Sequence, residues 1–143
     1  MKHIKRIALL LGVLLLALPL SACKSDSGDT RTVAVITKAV NSDFWHAVRN
    51  GVETAAIEYN VSVTFEGPEN EEDYEAQNRM IADAVTRRVD VIVLSAIDYD
   101  KTAAAVNDAV RHGVKVIAID SSVNSELVSQ FIGTDNYEAG KAA

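Results

Sequence analysis

Apolar residues in this chain fall into two patterns: short continuous runs, and longer stretches with apolar positions three or four apart. Thr32 to Thr37 is a β-branched and apolar run that predicts a strand buried on both faces. Ser42 or Asp43 can cap a helix whose apolar positions are Phe44, Ala47, Val48, Gly51, Val52, Ala55, Ala56 and Tyr59. Val61 to Phe65 predicts a second strand, closed by Gly67-Pro68. The acid-rich start from Glu69 to Asp73 suits a helix N-terminus, and Tyr74, Gln77, Ile81, Ala84 and Val85 form its inner face. Asp90 to Ser95 predicts a third strand, Lys101 to His112 a third helix with Gly113 just past its end, and Val114 to Asp120 a fourth strand. Gln130 to Gly133 is a short fifth strand, and a last helix can begin at Asn136.

Strands alternating with helices through short loops call for an α/β fold, a doubly wound parallel sheet with helices on both faces. Ligands of such sheets sit beyond the carboxyl ends of the strands, near a topological switch point. The segments to inspect are therefore Thr37 to Trp45, Glu66 to Asn70, Ala96 to Asp100 and Asp120 to Asn124.

The first thirty residues follow a different logic. A basic segment, Met1 to Arg6, precedes an apolar run from Ile7 to Leu20 interrupted by Gly12 and Pro19. The run is shorter than the roughly 20 apolar residues of a spanning helix and fits a secretory signal, residues 1–22. Leu20-Ser21-Ala22-Cys23 resembles a bacterial lipobox, which implies lipidation of Cys23 and membrane attachment without a spanning helix. Residues 23–31 are polar after Cys23 and read as a flexible tether.

The formal charge is −6, and Lys2, Lys5 and Arg6 all precede Cys23, so the part from Cys23 onward carries −9. An acidic domain without a basic stripe is a poor nucleic-acid binder. A single cysteine excludes an intramolecular disulfide. There is no dinucleotide-binding glycine fingerprint, no P-loop and no nucleophile elbow. His46 and His112 have no second ligand at metal spacing, so neither a metal site nor a cofactor is expected.

The chemistry left is recognition. Asn41, Ser42, Phe44 and Trp45 offer an amide, a hydroxyl and two rings after the first strand, a combination suited to a sugar's hydroxyls and C–H faces. Asp120 can accept hydrogen bonds from polyol hydroxyls. One of Asp98 and Asp100 is expected to cap the third helix.

Val35-Ile36-Thr37, then Asn41 to Trp45 and Gly51-Val52, resemble the first strand and helix of the type 1 periplasmic binding proteins. Arg88 to Ser95 with Asp98, Gly113 to Ser121, and Ile132 to Gly140 are similar to later blocks of that family, in the same order. The resemblance implies that Phe44 and Trp45 sandwich a sugar ring, that Asn41 and Ser42 assist, and that Asp120 holds hydroxyls. Ser121 stands where ribose binders often carry Arg, which implies a site without that fork. Thr134, Asp135 and Asn136 look like the family's first hinge crossing, with Asp135 as a helix cap. Residues 32–133 then form a first lobe and 134–143 the start of a second, so the chain is expected to be the front of a longer receptor. The lactose-repressor family shares the fold but carries a DNA-binding segment where this chain has its signal.

The function implied is capture of a small polar solute, a monosaccharide, for an ABC transporter permease, by a binding protein that is not an enzyme. A ligand-presenting sensor for a receptor or histidine kinase is the alternative within the same class. A lipid-anchored flavodoxin-like enzyme is the alternative from another class. A phosphoacceptor site would need acids clustered after the first strand, and Thr37-Lys38-Ala39-Val40 has none.

Overall fold

A computed structural model describes residues 30–143, so the signal, Cys23 and all of the tether before Thr30 lie outside the described residues. The elements are β1 (Thr32–Ile36), α1 (Asp43–Glu58), β2 (Ser62–Glu66), α2 (Tyr74–Thr86), β3 (Val91–Leu94), α3 (Ala103–Arg111), β4 (Lys115–Ile119), β5 (Gln130–Ile132) and α4 (Asn136–Ala142). Each expected element forms, most with ends within about two residues of the patterns above, but α2 begins only at Tyr74, after the acid run from Glu69, with Asp73 as its cap.

All five strands are parallel, in the order β2-β1-β3-β4-β5. The chain moves one way from β1 to β2, then crosses back over β1 to β3 and onward. Right-handed crossovers therefore put α1 on one face of the sheet and α2 with α3 on the other. Reversal of direction on either side of β1 makes the carboxyl ends of β1 and β3 the switch point.

Register explains the core. Val33 pairs with Val91, and Ile36, Leu94 and Ala118 lie side by side, so alternate residues share a face. Ala34, Ile36, Ile92, Leu94 and Val116 are buried beneath α2 and α3, against Ile81, Ala84, Val106 and Ala109. The other face is less covered. Val35 is buried, whereas Val91, Val93, Ile117 and Ile119 are half-buried and Ile132 is exposed. Sequence alone predicts burial on both faces for such runs, but α1, on that side, packs against the edge strand β2.

The inner face of α1 also differs from expectation. Trp45, Val48, Val52 and Ala56 turn inward, while Phe44 and Tyr59 are exposed. Steps of three, four and four give a narrower stripe than the full set of apolar positions. Three helices end on a left-handed residue: Asn60 (φ 51°) follows α1, Arg88 (φ 59°) follows α2 and Gly113 (φ 88°) follows α3.

Candidate functional site

The switch point is built first from backbone. Thr37, just past β1, is buried; its N–H donates to Glu66 O (2.9 Å) and its hydroxyl to Ala39 O (2.8 Å). Gly67 lies so close that an added Cβ would meet Thr37 Oγ1 at 2.8 Å and its carbonyl oxygen at 2.9 Å, so any side chain there would push the β1 loop away. Gln77 of α2 is also buried. Its Nε2 donates to the carbonyls of Thr37 (3.0 Å) and Ser95 (2.9 Å), and its Oε1 accepts from Ile97 N–H (2.9 Å). One side chain thus ties the carboxyl ends of β1 and β3 together.

Asp120 leaves β4 at φ 58°, a conformation that costs a residue with a side chain about 1 kcal/mol. The turn is closed by Ser121 N–H on Ile119 O (2.5 Å), and Asp120 N–H donates to Ile132 O (3.0 Å). This geometry aims the carboxylate back over the switch point. Ser95 Oγ (3.0 Å), Ser121 Oγ (3.2 Å) and Lys38 Nζ (3.2 Å) all converge on Asp120 Oδ2. Oδ1 has no hydrogen-bond partner among the described residues and is left to accept from another group. Partial burial pushes the Asp120 pKa up, but the Ser95 hydroxyl, the Lys38 ammonium and the Ser121 hydroxyl outweigh it and hold the carboxyl below its ordinary range.

Around this carboxylate lies an open cavity of about 390 Å³, lined by Lys38, Ala96, Ile97, Tyr99, Asp120, Ser121, Ser122, Phe131, Thr134 and Asn136. Two half-exposed rings, Tyr99 and Phe131, belong to it. The Phe131 ring lies across Gly133, where an added Cβ would come within 2.5 Å of it. Tyr99 is placed by its loop: its carbonyl accepts from Asn124 N–H (2.8 Å), and Asn124 Nδ2 donates to Asp100 (2.9 Å). Asp98 organises the same loop by accepting from the N–H groups of Asp100 (3.0 Å) and Lys101 (2.8 Å).

Of the expected site residues, Asp120, Ser121, Thr134 and Asn136 meet in this one cavity. Asn41, Ser42, Phe44 and Trp45 are not in its lining. Asn41 Nδ2 donates to Glu69 O (3.3 Å), and Ser42 caps α1 by accepting from Trp45 N–H (3.3 Å). Trp45 requires a correction: it is 2% exposed, and its indole N–H donates to Glu71 (2.9 Å), so it packs as core. Phe44 is 57% exposed and meets the Trp45 ring edge-on at 4.8 Å. Adjacent helix residues point about 100° apart, so when one ring enters the core the other turns out. Asp135 caps α4, accepting from Tyr137 (3.1 Å) and Glu138 (3.0 Å) N–H.

Lys38, Ser95, Tyr99 and Phe131 were not singled out by sequence reasoning. Lys38 carried a usable signal, as the first charge after a buried strand at the switch point; Phe131, on an edge strand far along the chain, carried none. No group of three or more His, Cys, Asp and Glu positioned for a metal occurs among the described residues. Nor is any described helix long and apolar enough to cross a membrane.

The sequence pattern of the periplasmic binding protein domain matches residues 33–143. The ribose import binding protein of Bacillus subtilis (strain 168) is 26% identical over 127 residues, covering 87% of this chain and 41% of the relative. A sugar transporter structure from Clostridium phytofermentans superposes with a TM-score of 0.74 at 39% identity, over 78% of this chain and 42% of that one. An ABC transporter solute-binding protein from Agrobacterium vitis, with bound D-fucose, gives 0.74 at 36% identity, over 78% and 40%. The chain thus spans about two fifths of the length of these relatives.

Proposed function

We propose that this chain, which belongs to the periplasmic binding protein domain family, forms one wall of a monosaccharide site in the substrate-binding component of an ABC importer. The observation that carries this reading is Asp120: three donors hold Oδ2, Oδ1 has no partner among the described residues, and the residue lines a cavity bordered by two rings. A fixed carboxylate accepts from sugar hydroxyls, and rings pack on the apolar C–H faces. Relatives named for ribose import or solved with D-fucose support that class of ligand. The protein works outside the cytoplasmic membrane, and Cys23 carries its lipid anchor; Cys23→Ala should move the exported chain from the membrane to the soluble fraction.

An open wall contacts only part of a sugar, so closure by a second lobe supplies the remaining affinity. Calorimetry with a panel of pentoses and hexoses tests the reading on this chain and on one extended to the length of its relatives. The extended chain should bind at least one monosaccharide, with affinity lowered by roughly tenfold or more in Asp120→Asn, because the amide replaces one acceptor oxygen by a donor. Unchanged affinity in that variant sinks the assignment.

A further inference from the structure

A second concavity, of about 710 Å³, lies at the opposite, amino ends of β3 and β4. Arg31, Arg88, His112 and Lys115 line it, with Asp90 as the one acid. Asp90 is already engaged: it accepts from Thr32 N–H (2.8 Å), Thr32 Oγ1 (3.0 Å) and Arg31 Nη1 (3.0 Å). His112 Nδ1 lies 3.5 Å from Asp108. Arg88 and Lys115 have no ion-pair partner among the described residues, and both are exposed. This basic hollow sits on a chain of net charge −6 whose acids Glu69, Glu71, Glu72, Asp98, Asp100 and Asp120 follow the carboxyl ends of the strands.

Arg88 adds an independent observation. It occupies a left-handed position after α2, where glycine is least strained, as Gly113 is after α3. Its side chain makes no hydrogen bond among the described residues that would account for an arginine there. The fold tolerates a strained cation at the rim of the cavity.

We infer that this hollow binds the phosphate of an anionic phospholipid headgroup and turns the amino pole of the domain toward the membrane surface. Guanidinium and ammonium groups pair with phosphate oxygens, and each cation near an anionic bilayer adds to the attraction. The lipid source follows from connectivity. Arg31 lines the cavity and Thr32 begins β1, so the segment that leads from the proposed Cys23 anchor joins the domain at this pole. The inference stands apart from the sugar reading, since neither Arg88 nor Lys115 belongs to the Asp120 cavity.

Hydrogen exchange of the full chain reconstituted with vesicles tests it, because amide protection is read locally and does not depend on how the leader partitions. With phosphatidylglycerol vesicles, amides of residues 85–91 and 112–115 should gain protection that phosphatidylcholine vesicles do not give and that added salt removes. Arg88→Gln and Lys115→Gln should each lower that protection by about fivefold, and Arg88→Lys should retain it within about twofold. Arg88→Gly relaxes the backbone while removing the charge, so it should stabilise the domain and still lose the protection; this separates a folding role from a binding one. Equal protection on neutral vesicles, equal protection by inorganic phosphate alone, or full protection in the double Gln variant would each overturn the inference.

Discussion

Replacing Gln77 by Ala removes the buried side chain that hydrogen-bonds directly to the backbone at the carboxyl ends of both β1 and β3. Three hydrogen bonds disappear at once: those to the Thr37 and Ser95 carbonyls and the one from Ile97 N–H. Each net bond contributes about 1 kcal/mol, and the groups left behind sit at a site from which water is excluded. With the void left by the missing side chain, the expected loss is about 3–5 kcal/mol. That is a large part of the roughly 5–15 kcal/mol that holds a typical domain together. For a domain of this size it corresponds to a fall of at least about 12 °C in Tm. Urea and thermal melts followed by circular dichroism give the measurement. Gln77→Glu sharpens it: the shape is kept and one oxygen still accepts from Ile97 N–H, but the other sets a charged acceptor against the Thr37 and Ser95 carbonyls. Ionisation is then penalised in the folded state, so this variant should be unstable at neutral pH and recover as acidification protonates the new acid. A Gln77→Ala variant within about 1 kcal/mol of the parent, or Gln77→Glu as stable as the parent at pH 7, would refute the clamp.

Trp45 is the chain's one tryptophan, so its emission should be shielded from iodide in the folded protein and become accessible in urea; equal quenching in both states contradicts its burial. In the same melts Trp45→Ala should cost about 3–5 kcal/mol, and Phe44→Ala under about 1 kcal/mol. Acid should unfold the domain partly through two carboxylates. Thr32 N–H, the Thr32 hydroxyl and Arg31 hold Asp90 below the ordinary value of 3.8, and Asp120 is likewise lowered by Ser95, Lys38 and Ser121 against the opposing effect of burial. A depressed folded pKa contributes stability that is complete above the unfolded value and lost as pH falls through the folded one. The urea midpoint should therefore drop below about pH 4, and less steeply in an Asp90→Asn, Asp120→Asn double variant; identical pH profiles would exclude both groups.

Local patterning was enough to read the chain's elements and their order. Continuous apolar runs set the strands, three-and-four spacing set the helices, and short connections forced parallel pairing. It also pointed to the carboxyl end of the sheet and to Asp120, because position after a buried strand is a property of the sequence itself. The helix caps Ser42 and Asp135 were legible for the same reason, since each bonds to N–H groups two or three residues on.

What patterning did not decide were relations between segments distant in sequence. The choice between Phe44 and Trp45 depended on how α1 is rotated against the sheet, which is set by packing. Tyr99 and Phe131 joined the Asp120 cavity because β3, β4 and β5 lie side by side in register, bringing loops more than ten residues apart to one place. Lys38 became Asp120's partner across 82 positions of chain only when β1 and β4 flanked β3. Sequence carries short-range preferences; which side chains share a cavity follows from the strand order, and that exists only once the sheet has formed.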